Sequence, residues 1–381
     1  MTINTPMKLG KIVDRRDPIN PNATAETKAL YRFLKALGGS KHYVLGCSEL
    51  YHDWYTNVNG QSTNNFDGWI AASGKRPGLV HHDYTAITTP GIGSTRYANM
   101  RAEILRQAEM GAIIQLFHPL GNPTTGALDM EDPYGLAAGQ NGDPTGGIAP
   151  IKSGGGKYAA WHAYLSDLCD FISGLVLSNG KKVPVIWRPF HEFTLTNYYW
   201  WSGSVNAANL ILVWRDMVDY MVTTKGCNNV LFNQNWDCNV GDATYAWSNY
   251  YAGDNYVDLV GFDSYENSST LTNPLTLDSN GLMASGFGAL RTIAVAGNKP
   301  IMLNETGYLY AAASKANLWD KYTGPYIEDQ YYACSSMLLW NSPFGPDKND
   351  TAQMKASFTA MVNSPYCLTL DKLATMPVFN N

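Results

Sequence analysis

Two glutamates, Glu192 and Glu305, each close a short apolar run with a carboxylate, and that repeated plan limits the chemistry open to this chain. In residues 182–203, KVPVIWRPFHEFTLTNYYWWSG, the apolar Val183, Val185, Trp187 and Phe190 make a run of strand length. It ends in His191-Glu192, ahead of a loop crowded with aromatics. Residues 299–307, KPIMLNETG, end in Glu305 in the same way. Strand side chains alternate faces, so Arg188, Phe190 and Glu192 are expected together on one face and Trp187, Pro189 and His191 on the other. An arginine inside an apolar layer needs a carboxylate partner. At least one further acid is therefore expected beside Arg188, with Glu305 the first candidate.

Two carboxyl groups facing an aromatic-lined groove fit glycoside hydrolysis. One must donate a proton to the leaving oxygen and needs a raised pKa, while the other must be ionised. Arg188 offers the cation that would keep Glu305 ionised, and Glu192, facing the aromatic loop, is the group expected to hold its proton.

The elements that must carry these residues alternate. Strands are expected at 42–46, 78–83, 111–118, within 182–192, and at 230–236, 257–265, 299–305 and 336–340. Helices are expected at 25–37, 94–110, 158–178, 206–224, 283–296 and 351–362. Eight strands mostly separated by helices predict an α/β fold, a single (β/α)8 TIM barrel with long βα loops. Residues 1–381 read as one catalytic domain, with 1–25 as an N-terminal extension; there is no internal repeat and no Pro- or Ser-rich linker. His118, Glu192, Trp236, Tyr265, Glu305 and Trp340 all fall at C-terminal strand ends, the rim where such barrels place their sites. The Gly-rich stretch 119–157 is a long loop of the kind that is usually functional.

The chain has 381 residues, 15% charged, with a net charge of -5. That balance and the lack of a basic run argue against nucleic acid as a partner. No apolar run is long enough to cross a bilayer, and the chain is expected to act as a monomer. The 24 Tyr and 11 Trp, many in polar loop segments, suit stacking on sugar faces, although loop anchors explain most of them equally well. Six cysteines without CxxC spacing make zinc and redox motifs unpromising. Cys227 and Cys238 flank one short strand, and a small disulfide loop between them is one option. His81-His82-Asp83 carries metal-ligating types but not a metal-site spacing, because adjacent strand residues face opposite sides; neither a metal nor a cofactor is expected. Acceptor patterns at Asn22, Asn267 and Asn349 suit a secreted chain. The same pattern at Asn304 lies inside an expected strand and should be inaccessible.

The run Trp187-Arg188-Pro189-Phe190-His191-Glu192, followed by Tyr198-Tyr199-Trp200-Trp201, resembles the signature of glycoside hydrolase family 26, the β-mannanases and their relatives. The likeness extends from about His42 to Trp340. It implies that Glu192 is the acid/base and Glu305 the nucleophile of a retaining enzyme acting on β-mannan or manno-oligosaccharides. It also implies substrate contacts from His118, His191, Tyr198, Trp200, Trp201, Tyr265 and Trp340. The chain departs from the pattern in four places: the loop after Glu192 is one residue longer, Tyr198 stands for a Trp, Asn341 for a frequent Arg, and Asn122-Pro123 comes one residue late after His118. Endo cleavage of β-1,4-mannan is the expected activity; the same family includes β-1,3-xylanases, mixed-linkage β-glucanases and mannobiose-releasing members, and a silent sugar-binding protein is the rival outside catalysis.

Overall fold

The computed structural model describes residues 17–49, 73–84, 94–118, 147–194, 199–202, 206–238, 247–265, 285–307, 316–329, 333–340, 345–346, 350–376 and 378–379. Eight parallel strands close on themselves. They are β1 Tyr43–Glu49, β2 Leu79–Asp83, β3 Ile113–His118, β4 Val185–Pro189, β5 Val230–Asp237, β6 Leu259–Asp263, β7 Ile301–Thr306 and β8 Cys334–Leu339. Each pairs with the next, and β8 and β2 both pair with β1, which completes the (β/α)8 barrel. A two-residue strand, β9 Cys367–Leu368, adds to the first residues of β1.

The helices are α1 Ala25–Gly38, α2 Ser94–Glu109, α3 Tyr158–Ser173, α4 Ala207–Asp219, α5 Ser285–Gly297, α6 Gly324–Ile327, α7 Ala352–Val362 and α8 Leu370–Leu373. Thr24 caps α1, its hydroxyl accepting from the Thr27 N–H at 3.1 Å, and Gly39 follows the last turn. The helix lays Leu30, Tyr31, Leu34 and Leu37 against the barrel floor. A π-turn, Trp319–Thr323, runs into α6; sequence patterning did not indicate it, because Asp320 and Lys321 interrupt its apolar positions.

The barrel interior is layered by the period-2 alternation of strands. Val44, Leu79, Ile113, Ile186, Leu231, Leu259, Met302 and Leu338, one from each strand, form an apolar plug with α1. Two residues further along, the same faces carry His81, Gln115, Arg188, Asn233, Gly261 and Asn304. The barrel is sealed below and polar above.

Two sequence expectations need correction. Phe190 does not share a face with Arg188: it packs outward on Trp161 of α3 and on Trp200 and Trp201. β4 stops at Pro189, and Phe190 then takes a left-handed backbone with φ of 49°, which breaks the alternation. Cys227 and Cys238 are not bridged; all six cysteines are buried free thiols. They stand at opposite ends of β5, and an extended strand of that length separates them by about 25 Å or more, far beyond the roughly 7 Å a disulfide spans. Asn304 is fully buried, as its place in a strand required.

Candidate active site

Arg188 is the centre of the polar layer. Its Nη1 donates to Glu305 Oε1 at 2.7 Å, and its Nη2 donates to Asp263 Oδ2 in a very short contact. The guanidinium is fully buried and lies over the Phe117 ring at 5.1 Å. Burial alone would lower its pKa; Asp263 and Glu305 together hold it above its ordinary value, so the cation is permanent. The expected carboxylate partner of Arg188 is thus present twice.

Glu305 reaches the lumen through a bulge. Phe262 pairs with Leu303 and Asp263 with Glu305, while on the other side Leu303 pairs with Met337 and Thr306 with Leu339, so β7 carries one extra residue at Asn304-Glu305. Such a bulge lets two consecutive side chains serve the same side. Asn304 points to the barrel amides, and Glu305 points to Arg188. The second carboxylate oxygen of Glu305 accepts from the Tyr265 hydroxyl at 2.7 Å.

Glu192 is delivered differently. Its backbone is left-handed, with φ of 50°, a conformation costing a non-glycine residue about 1–2 kcal/mol. Its N–H donates to the Asn235 carbonyl at 3.1 Å, which anchors the turn to β5. The side chain, 9% exposed, accepts from the Tyr199 hydroxyl at 2.9 Å. Burial, then the negative Asp237 and Glu305, push its carboxyl well above the usual carboxylate range. Oxygens of Glu192, Asp263 and Glu305 all lie within 4.8 Å of one another. Three acids that close can also suggest a metal ion, but the Arg188 guanidinium already occupies the cation position between Asp263 and Glu305.

Around the acids stand rings. His191 packs on Phe117 at 4.5 Å and on Tyr199 at 4.7 Å, and burial together with Arg188 lowers its pKa well below the histidine norm, leaving a neutral imidazole. Half-buried Trp340 faces His81 and Phe117. His81 meets Ser48 inside the barrel while His82 meets Gln107 on α2, the opposed facing that strand geometry demands.

The structure brings Glu192, Glu305, His191, Tyr265 and Trp340 to one rim. The backbone of His118 ends β3 at that rim, and Tyr198 lies outside the described residues, as do Trp54 and Trp69, two further tryptophans whose polar sequence surroundings make them candidate stacking platforms. Trp200 and Trp201, expected as stacking platforms, are buried: Trp201 donates to the His191 carbonyl at 2.8 Å and stacks on Tyr199 at 4.6 Å. They hold up the wall instead of forming its open face. Sequence reasoning missed Asp263 and Tyr199. Asp263 was detectable, because it sits two residues before Tyr265 on the same strand face and an arginine with one partner remains underpaired.

The model of the Glycosyl hydrolase family 26 matches residues 19–331. The chain belongs to glycosyl hydrolase family 26. This family 26 enzyme is 24% identical over 353 residues to a mannan endo-1,4-beta-mannosidase of Bacillus subtilis, covering 88% of this chain and 85% of the relative. It is 28% identical over 258 residues to a mannan endo-1,4-beta-mannosidase of Bifidobacterium adolescentis, covering 65% of this chain but only 24% of that longer protein. The solved structure of GH26C from Muricauda sp. MAR_2010_75 shares the fold with a TM-score of 0.76 at 22% identity, covering 94% of this chain and 96% of that one.

Proposed function

We propose that this family 26 glycoside hydrolase is an endo-acting β-1,4-mannanase that works by double displacement. Glu305 attacks the anomeric carbon while Glu192 protonates the departing oxygen; Glu192 then draws a proton from water, which releases the sugar with net retention. The observation that carries this reading is the contrast between two neighbouring acids. Glu305 is ion-paired and hydrogen-bonded through both oxygens, whereas burial and negative neighbours favour the protonated form of Glu192. Their oxygens lie within 4.8 Å, which supports direct attack; an inverting pair stands roughly 6.5–9.5 Å apart to admit a water between them.

His118, His191, Tyr198, Tyr265 and Trp340 are the residues we assign to substrate contact, with Trp200 and Trp201 as their support. Mannan as substrate rests on the relatives, which are named as mannan endo-1,4-beta-mannosidases. Secretion suits a polymeric substrate, and the acceptor residue Asn22 is exposed in a turn; no helix among the described residues is long and apolar enough to cross a membrane. The test is a panel of mannan, glucomannan, lichenan and β-1,3-xylan with product sizing. Mixed oligosaccharides from mannan and glucomannan are expected, and activity confined to lichenan or β-1,3-xylan would overturn the mannan assignment.

A further inference from the structure

Beneath the acids, three fully buried amides cross the barrel from β3 to β7 to β5. Gln115 Nε2 donates to Asn304 Oδ1 at 2.9 Å, Asn304 Nδ2 donates to Asn235 Oδ1 at 2.5 Å, and Asn235 Nδ2 donates to Asp263 Oδ2 at 2.7 Å. The direction of this chain is set from one end. An ionised carboxylate only accepts, so Asn235 must present its NH2 to Asp263; its oxygen must then accept from Asn304, and the oxygen of Asn304 from Gln115. Three amide dipoles therefore run head to tail, with the positive end on Asp263.

A lumen that only needed filling would be cheaper in apolar side chains, since buried amides cost free energy wherever they go unpaired, as Gln115 Oε1 does. The neighbouring strand also makes room for them. A Cβ on Gly261 of β6 would stand 2.0 Å from Asn304 Nδ2, 2.5 Å from Asn233 Oδ1 and 2.6 Å from Asn235 Oδ1.

We propose that Gln115, Asn304 and Asn235 form a positioning relay, whose last N–H fixes Asp263 against Arg188 and so makes the guanidinium divide its charge between Asp263 and Glu305. This rests on the reading of Glu305 as nucleophile. The groups facing Asp263 are Arg188 and Glu192 from β4 and its turn, Asp237 from β5 and Cys238 just after it, Glu305 from β7 and Tyr265 from its own segment. Of these only Arg188 is cationic, while burial and the other acids push Asp263 well above the usual carboxylate range. Asn235 supplies the additional donor that holds the anion. Without it Asp263 takes up a proton more readily, the Arg188 charge falls on Glu305 alone, and a carboxylate so fully paired is a poorer nucleophile.

The test compares Asn235→Leu, which removes the donor next to Asp263, with Gln115→Met, a near-isosteric change at the far end of the relay, and with Glu305→Ala as control. Turnover of manno-oligosaccharides by Asn235→Leu is expected to fall roughly tenfold in kcat, the size of losing one hydrogen bond to a charged group, with KM changed less than about twofold. Protonation of Asp263 should then enter the acid limb of kcat/KM and move it to higher pH by about one unit, because losing the Asn235 donor to its charged form raises the Asp263 pKa. Gln115→Met should show the same two effects at smaller size, and it decides the matter if Asn235→Leu does not fold. Folded variants with the parent kcat and an unmoved acid limb, alongside an inactive Glu305→Ala, would overturn the relay. A Glu305→Ala enzyme that still turns over would overturn the underlying assignment of the nucleophile instead.

Discussion

At the scale of single residues, the division of labour between Glu192 and Glu305 comes from their surroundings, since the two side chains are chemically the same. Glu305 meets a guanidinium and a phenol; Glu192 meets a phenol and two negative neighbours inside a nearly dry wall. The Tyr199 hydroxyl, ahead of the Arg188 charge, tempers Glu192, because its hydrogen bond favours the ionised form and opposes the rise caused by burial. Tyr199→Phe removes that donor. The Glu192 pKa should then rise further, and the basic limb of kcat/KM, where the acid form is lost, should move to higher pH by about half a unit to one unit. A pH profile of the folded variant checks this; a limb that moves down, or not at all, would separate Tyr199 from the proton donor.

At the scale of elements, two local irregularities aim the acids, and both were hard to read in advance. The strand-like run through residue 192 was legible in its composition, yet the strand ends at Pro189 and the left-handed Phe190 and Glu192 turn the backbone out of the strand direction. Simple alternation predicts the wrong face for Phe190, because no residue type in that run announces a positive φ. The bulge at Asn304-Glu305 was equally silent, since an extra residue leaves no mark in a short apolar run. What was legible was the succession of strands and helices, fixed by apolar periods and by breakers such as Gly38-Gly39. The Cys227 and Cys238 option failed because closeness in sequence is not closeness along an extended strand. Gly261 belongs at this scale: it is the gap in β6 that admits the amides of β5 and β7. Gly261→Ala would overpack that layer, and a loss of about 1–3 kcal/mol in denaturant unfolding is expected, together with reduced turnover. Unchanged stability would show that the layer can yield.

At the scale of the whole molecule, the barrel acts as a graded vessel. One apolar residue from each strand and the α1 face seal its floor, amides and a guanidinium fill the middle, and the carboxyl groups open at the rim. This order explains how a buried cation is tolerated: Arg188 has no route to water, but it sits where two acids and an aromatic face converge. It also explains why acids from β4 and β7, far apart in sequence, serve one centre. In the proposed mechanism Glu305 forms the covalent bond to the sugar while Glu192 handles the proton. Trapping with a 2-deoxy-2-fluoro mannosyl substrate bearing a good leaving group, followed by peptide mapping of the labelled protein by mass spectrometry, checks this division of roles. One sugar attached to the peptide containing Glu305, at that residue, is the expected result. A label on any other side chain, or turnover with inverted anomeric configuration and no trapped species, would contradict it.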